Sequence, residues 1–193
     1  STIPVWIMFI SSILNIEKTN IYQIIGVLLS LIGVVIIVTK VDLELILKLD
    51  FNKGDISMVV AMFSWAIYSA LLKKKKHEIS QLAILQVVIF CGLLFLIPFY
   101  FAEIYLGNRI ILNKPFYLTL LYVVFFPGLF AFFFWMKGIS IIGANRAGIF
   151  LHLMPIIGAI MAIVILKEKF MYYHFFGAIF ILVGITLSNK KAI

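Results

Sequence analysis

Runs of apolar residues, separated by short charged stretches, organise this chain from end to end. Six stretches contain no Asp, Glu, Lys or Arg: residues 21–39, 56–72, 80–102, 116–136, 147–166 and 171–188. About 20 apolar residues in helical form cross the roughly 30 Å hydrocarbon core of a bilayer, so each stretch predicts a membrane-spanning helix. Residues 1–16 are also uncharged and apolar and end at Glu17 and Lys18; they read as the back end of a helix whose front lies upstream. The runs are hydrophobic on all sides and lack the two-residue alternation of barrel strands. The expected fold class is an all-α integral membrane bundle of six full helices plus one partial helix.

Short connections at Asn15 to Asn20, Lys73 to Ile79, Lys137 to Arg146 and Lys167 to Phe170 make neighbouring helices antiparallel and adjacent. Residues 40–55 are longer and place Asp42, Glu44, Asp50 and Asp55 around Leu45, Ile46 and Leu49, the pattern of a short amphipathic surface segment or linker. Residues 103–115, with Glu103, Arg109 and Lys114, read as a polar loop.

Composition agrees with lipid as the solvent. The 193 residues are 64% hydrophobic and 12% charged, with a mean hydropathy of +1.18, against about 45–50% apolar and about 25% charged in soluble domains. The formal net charge of +8 does not mark a nucleic-acid partner, because Lys and Arg lie between apolar runs instead of clustering on one folded face. Assigning alternate loops to alternate faces puts nine of them on one side and seven on the other. The dense Lys73 to Lys76 run shares its side with Lys190 and Lys191, so the Lys73–Lys76 loop and the C-terminus are expected to be cytoplasmic. Cys91, the single cysteine, lies inside an apolar run and rules out an intrachain disulfide or a cysteine metal cluster.

The chain also repeats itself. Residues 1–40 laid over 152–191 without a gap pair Pro4 with Pro155, Glu17 with Glu168, Lys18 with Lys169 and Tyr22 with Tyr173. They also pair Gly26 with Gly177, Gly33 with Gly184 and Lys40 with Lys191. Most of these identities fall on residue types that are scarce here. Four helices separate 21–39 from 171–188, so the second copy crosses the membrane in the opposite direction. Inverted repeats of this kind build many secondary transporters, in which two copies related by an axis in the membrane plane open a midplane site to either side.

A Pro early in one helix, a tight acidic turn (Asn15-Ile16-Glu17-Lys18, Leu166-Lys167-Glu168-Lys169) and a helix with glycines seven apart resemble the EamA domain of the drug/metabolite transporter superfamily. So do Gly54-Asp55 leading into Ser64-Trp65-Ala66-Ile67-Tyr68, and Ile142-Gly143-Ala144-Asn145-Arg146-Ala147 before the penultimate helix. Members of that family have ten helices in two inverted sets of five. The resemblance implies that residues 1–40 form the C-terminal part of a first repeat, 41–54 a connecting loop and 55–191 a complete second repeat. About 95 residues, with three further helices and the start of a fourth, would then lie upstream of Ser1.

Candidate residues follow from what is unusual inside a membrane helix. Trp65 and Tyr68, one turn apart with Ser64 beside them, sit near the middle of 56–72 and are candidates for lining a substrate pathway. Gln86 and His152 are polar groups at membrane depth, which tend to find a partner or face water. Pro155, one turn after His152, removes a backbone donor where a kink can expose a carbonyl; Pro4 does the same in the other copy. Gly26 with Gly33, and Gly177 with Gly184, lie two turns apart and let another backbone approach closely. Glu17 and Glu168 are expected to cap the N-terminus of the helix that follows each of them.

Enzyme motifs are missing: there is no carboxylate pair within a helix, no His-x-x-x-His and no phosphate-binding glycine loop. No metal and no cofactor are expected. The expected function is secondary transport of a small metabolite, such as an amino acid or related solute, across the cytoplasmic membrane by alternating access, with export favoured by the resemblance. The alternative is a truncated, non-transporting membrane remnant or a structural membrane subunit. Partners are the lipid bilayer and the small-molecule substrate, with no nucleic acid; a homodimer stays open as an assembly.

Overall fold

A computed structural model describes residues 2–42, 52–74, 79–107 and 110–190. Most of the expected amphipathic segment at 40–55, together with Lys75, Lys76, Arg109 and Lys191, lies outside these residues. All regular structure among the described residues is helical. The elements are α1 (Ile3–Ile13), α2 (Ile21–Thr39), α3 (Lys53–Lys74), α4 (Gln81–Tyr105), α5 (Lys114–Val123), a π-helical stretch (Val124–Ala131) running into α6 (Phe132–Ile142), α7 (Ala144–Ile149), a 3-10 turn (Phe150–His152), α8 (Leu153–Leu166) and α9 (Tyr172–Ser188).

Among the described residues, five continuous helical segments are long and apolar enough to cross a membrane: Ile21–Thr39, Gly54–Lys74, Gln81–Tyr105, Lys114–Ile142 and Ala144–Leu166. Ile3–Ile13 and Tyr172–Ser188 are shorter apolar helices. The latter, expected as a sixth span, has 17 residues, the lower end of what a bilayer requires.

Local chemistry starts and stops these helices. Asn20 opens α2 with a reciprocal cap: its side chain accepts from the Gln23 N–H at 2.7 Å, and the Gln23 side chain accepts from the Asn20 N–H at 3.1 Å. Ser80 and Asn113 cap α4 and α5 by accepting the N–H of Ala83 and Phe116. Lys40 and Lys167, with φ of 56° and 57°, close α2 and α8 in the left-handed conformation. Pro4 falls in the first turn of α1, where its missing N–H removes no helical bond. Pro127 lies within the π-helical stretch, whose widened turn absorbs the lost donor without ending the helix.

The chain divides into two compact units, residues 1–75 with 139–193, and residues 76–138. In the first, α2 and α9 form the principal antiparallel pair. Their glycines meet: a Cβ on Gly26 would lie 2.5 Å from the Gly184 carbonyl oxygen, and one on Gly33 would lie 2.5 Å from that of Gly177. Met8, Val27, Val34, Ile37, Ile149, Ile181 and Ile185 form the apolar core around this crossing. α1 packs on α3, with the Trp6 ring edge-on to Phe63 at 5.5 Å, and Gly148 of α7 makes room for Ile7 of α1. In the second unit α4 and the helix from Lys114 present large apolar side chains outward, Phe95 at 75% and Phe99 at 70% exposure among them. Such surfaces are expected of residues that face lipid.

The stretch Lys137 to Arg146 differs from the expected connection. Helix continues through Lys137 to Ile142, breaks at the single residue Gly143 and resumes at Ala144. Gly143 has φ of 90°, a conformation that glycine adopts without a Cβ penalty, so one residue suffices where a short connection from Lys137 to Arg146 was expected. Lys137 and Arg146 therefore lie in helix.

Candidate functional site

At the membrane-boundary end of α1 and α2, Glu17 reaches across the first unit to the break at Gly143. Its two carboxylate oxygens accept the backbone N–H groups of Ala144 and Asn145, each at 2.9 Å. These are orphan donors of the first turn of α7, and a carboxylate there is favoured both by hydrogen bonding and by the helix dipole. A Cβ at position 143 would collide with the same carboxylate, a second reason for glycine. Glu17 thus caps a helix 127 residues away in sequence; the helix that follows it, α2, is capped by Asn20. Asn145 adds a long contact from its amide to the Thr19 hydroxyl at 3.4 Å. Glu168, the counterpart of Glu17 in the repeat, is exposed and follows the left-handed Lys167.

His152 is fully buried between α7 and α8. Its Nδ1 lies 2.5 Å from the Oγ of Ser30 in the middle of α2. Ser30 Oγ also lies 2.9 Å from the Val27 carbonyl, to which its hydroxyl donates in the tautomer that carries the ring proton on Nδ1. This pair ties the 3-10 turn to α2 beside the glycine crossing, where a Cβ on Gly184 would lie 2.6 Å from the Ser30 N. Pro155, half-buried, stands in the first turn of α8 just after it.

Trp65 and Tyr68 are both half-buried on α3, with ring centroids 5.6 Å apart and planes inclined at 48°. Ser64 beside them is exposed and donates to the Val60 carbonyl at 2.8 Å. The fully buried stripe of the same helix is made of small residues, Ala66, Ser69 and Ala70. Gln86 belongs to the second unit and is exposed on α4. The structure therefore groups Ser64, Trp65 and Tyr68 on one helix and His152 with Pro155 at another place.

Cavities among the described residues of the first unit include the following three. One, of about 260 Å³, is bounded by α1 and α2 through residues including Met8, Ser12, Thr19 and Ile24. A second, of about 240 Å³, is apolar except for His174 and lies among α2, α8 and α9. The third, of about 290 Å³, surrounds the Glu17 cap and takes in Lys18, Gln23, Lys73 and Arg146. None of these linings includes Trp65, Tyr68 or His152. The basic cavity and the Ser30–His152 pair are features that single-position inspection of the chain missed. The signal for the cavity was present, however, in Lys18, Lys73 and Arg146 falling on one predicted face.

A helical, multi-pass architecture with apolar outward surfaces defines an integral membrane protein. A family model described as the EamA-like transporter family matches residues 52–190. An uncharacterized transporter of Archaeoglobus fulgidus is 29% identical over 90% of this chain and 60% of its own length. The uncharacterized transporter YetK of Bacillus subtilis is 30% identical over 99% of this chain and 58% of its own. A probable amino-acid metabolite efflux pump of Escherichia coli is 23% identical over 89% of this chain and 59% of its own. The chain thus spans about 60% of the length of the curated relatives it matches. No solved structure matches it. The chain belongs to the EamA-like transporter family.

Proposed function

We propose that this protein moves a small metabolite, an amino acid or a related solute, across the cytoplasmic membrane by alternating access, in the direction of export. The observation that carries the reading is the glycine crossing of α2 and α9. Under the offset of 151 residues, the contact of Gly26 with Gly184 maps onto that of Gly177 with Gly33. The pair is thus related to itself by a twofold axis perpendicular to the two helices. A protein built on such an axis has two ways to open that the twofold rotation interchanges, one to each side of the membrane. Amino-acid metabolites as substrate class, and export, are supported by the names of relatives such as that of Escherichia coli.

Trp65 and Tyr68 are the pathway residues in this reading, since their paired rings on α3 offer a face to a cation or to an apolar side chain. The experiment is release of a radiolabelled amino-acid mixture from proteoliposomes that contain the protein expressed from its own reading frame. Release faster than from protein-free vesicles is expected, with Trp65→Ala at least threefold slower at equal protein content. Unchanged release in that variant would remove Trp65 from the pathway, and release no faster than from empty vesicles would remove the proposed substrate class.

A further inference from the structure

The basic cavity at the Glu17 cap has features that transport does not require. Three cations line it: Lys18 from the α1–α2 turn, Lys73 from the last turn of α3 and Arg146 from α7. Lys73 and Arg146 are half-buried and Lys18 is exposed. Among the described residues none of the three side chains makes a hydrogen bond or an ion pair. The Glu17 carboxylate in the cavity forms no ion pair with them and accepts the backbone N–H groups of Ala144 and Asn145. A half-buried guanidinium carries five donors in a fork suited to phosphate and carboxylate. With the two ammonium groups it gives the cavity three positive charges against the one carboxylate, a balance that favours an anion.

The walls say which anion. Ile141 and Ile142 line the same cavity and are 69% and 41% exposed. They end the apolar helix that starts at Lys114. An anion bound here has cationic groups on one side and an outward-facing apolar wall on the other. A free ion makes no use of that wall, whereas a phospholipid fits it with its headgroup among the cations and its chains along the isoleucines. The cavity is placed at helix ends, at the level of a headgroup layer, on the face whose excess of Lys and Arg predicts the leaflet rich in anionic lipid. We infer that this cavity binds the phosphate of an anionic phospholipid, with Arg146, Lys73 and Lys18 as its ligands. The site tethers the α1–α2 turn, the end of α3 and the start of α7 to one lipid.

The test is titration of delipidated protein in neutral detergent with short-chain phosphatidylglycerol, phosphatidylcholine or inorganic phosphate, read as dissociation constants by thermophoresis. Phosphatidylglycerol should bind at least tenfold more tightly than phosphatidylcholine. Each basic side chain near a membrane surface contributes about a fivefold factor in affinity. Arg146→Gln and Lys73→Gln should therefore each weaken phosphatidylglycerol about fivefold, and Lys40→Gln, at the other end of α2, should leave it unchanged. Lys18→Gln alters an exposed side chain and, with the same fivefold weakening expected, serves if either half-buried variant does not fold. Equal binding of the two lipids, or variants that bind as the parent does, would overturn the inference. Inorganic phosphate that displaces phosphatidylglycerol at equal concentration would overturn it as well, by making the site one for the free ion. None of these outcomes depends on whether the protein transports.

Discussion

Substituting Gly26 by alanine tests the packing on which the repeat axis rests. The added Cβ would lie 2.5 Å from the Gly184 carbonyl oxygen and 2.6 Å from the Ser188 nitrogen. Both are backbone atoms, so no rotamer change relieves the clash. Ordinary contacts to carbon lie at about 3.5–4.0 Å, so α2 and α9 must separate by about 1 Å. Overpacking on this scale costs about 1–3 kcal/mol. Alanine also favours helix over glycine by about 1 kcal/mol, and a control must remove that contribution. Gly158 of α8 provides it, since nothing lies within 4 Å of a Cβ built there. The difference between Gly26→Ala and Gly158→Ala in thermal unfolding in detergent, followed by circular dichroism, should therefore be about 1–3 kcal/mol against Gly26→Ala. Gly184→Ala acts at the same crossing, and once one methyl has parted the helices the second meets less resistance. The double variant should thus be less destabilised than the sum by at least about 0.5 kcal/mol. Equal stability of the Gly26 and Gly158 variants, or strict additivity at the crossing, would refute the close approach.

Other positions make separate predictions. Glu17→Gln replaces one acceptor oxygen of the α7 cap by an amide N–H and removes the charge at a helix start, so it should cost about 1–2 kcal/mol in the same unfolding measurement. Glu168→Gln, at an exposed position, should cost less than about 0.5 kcal/mol; similar losses for both would contradict the cap. Ser30→Ala removes the hydroxyl that meets the buried His152 Nδ1, and hydrogen bonds within membranes average about 0.6 kcal/mol with larger values up to about 1.7. A loss in that range is expected, and a stabilised variant would show that the pair is not formed.

Charge placement made the helical spans legible, because the ends of α2, α3 and α4 fall within a few residues of the nearest Lys, Asp or Glu. The glycine pairs were legible for a different reason. Their spacing of seven and their recurrence at a fixed offset appear in the chain itself, and helix geometry turns that spacing into one face. The destination of Glu17 was not legible, since an acidic residue in a turn before a helix has the same local pattern whether it caps that helix or one 127 residues away. The break at Gly143 was hidden likewise: Lys137 and Arg146 marked the ends of a short connection, but a single glycine at positive φ, with the N–H groups after it capped by Glu17, takes its place. His152 was recognisable as a polar group needing a partner. That the partner is Ser30 depends on how α2 lies against the 3-10 turn, which no local signal encodes.

Alternating access is the central claim, and counterflow tests it most directly. Proteoliposomes containing the protein are loaded with a millimolar mixture of unlabelled amino acids and diluted into a trace of the same mixture carrying radiolabel. A carrier whose site faces one side at a time exchanges inward label for outward cargo, so label should rise transiently above its equilibrium level before it decays. Uptake that never exceeds equilibrium, or that matches protein-free vesicles, would contradict the account.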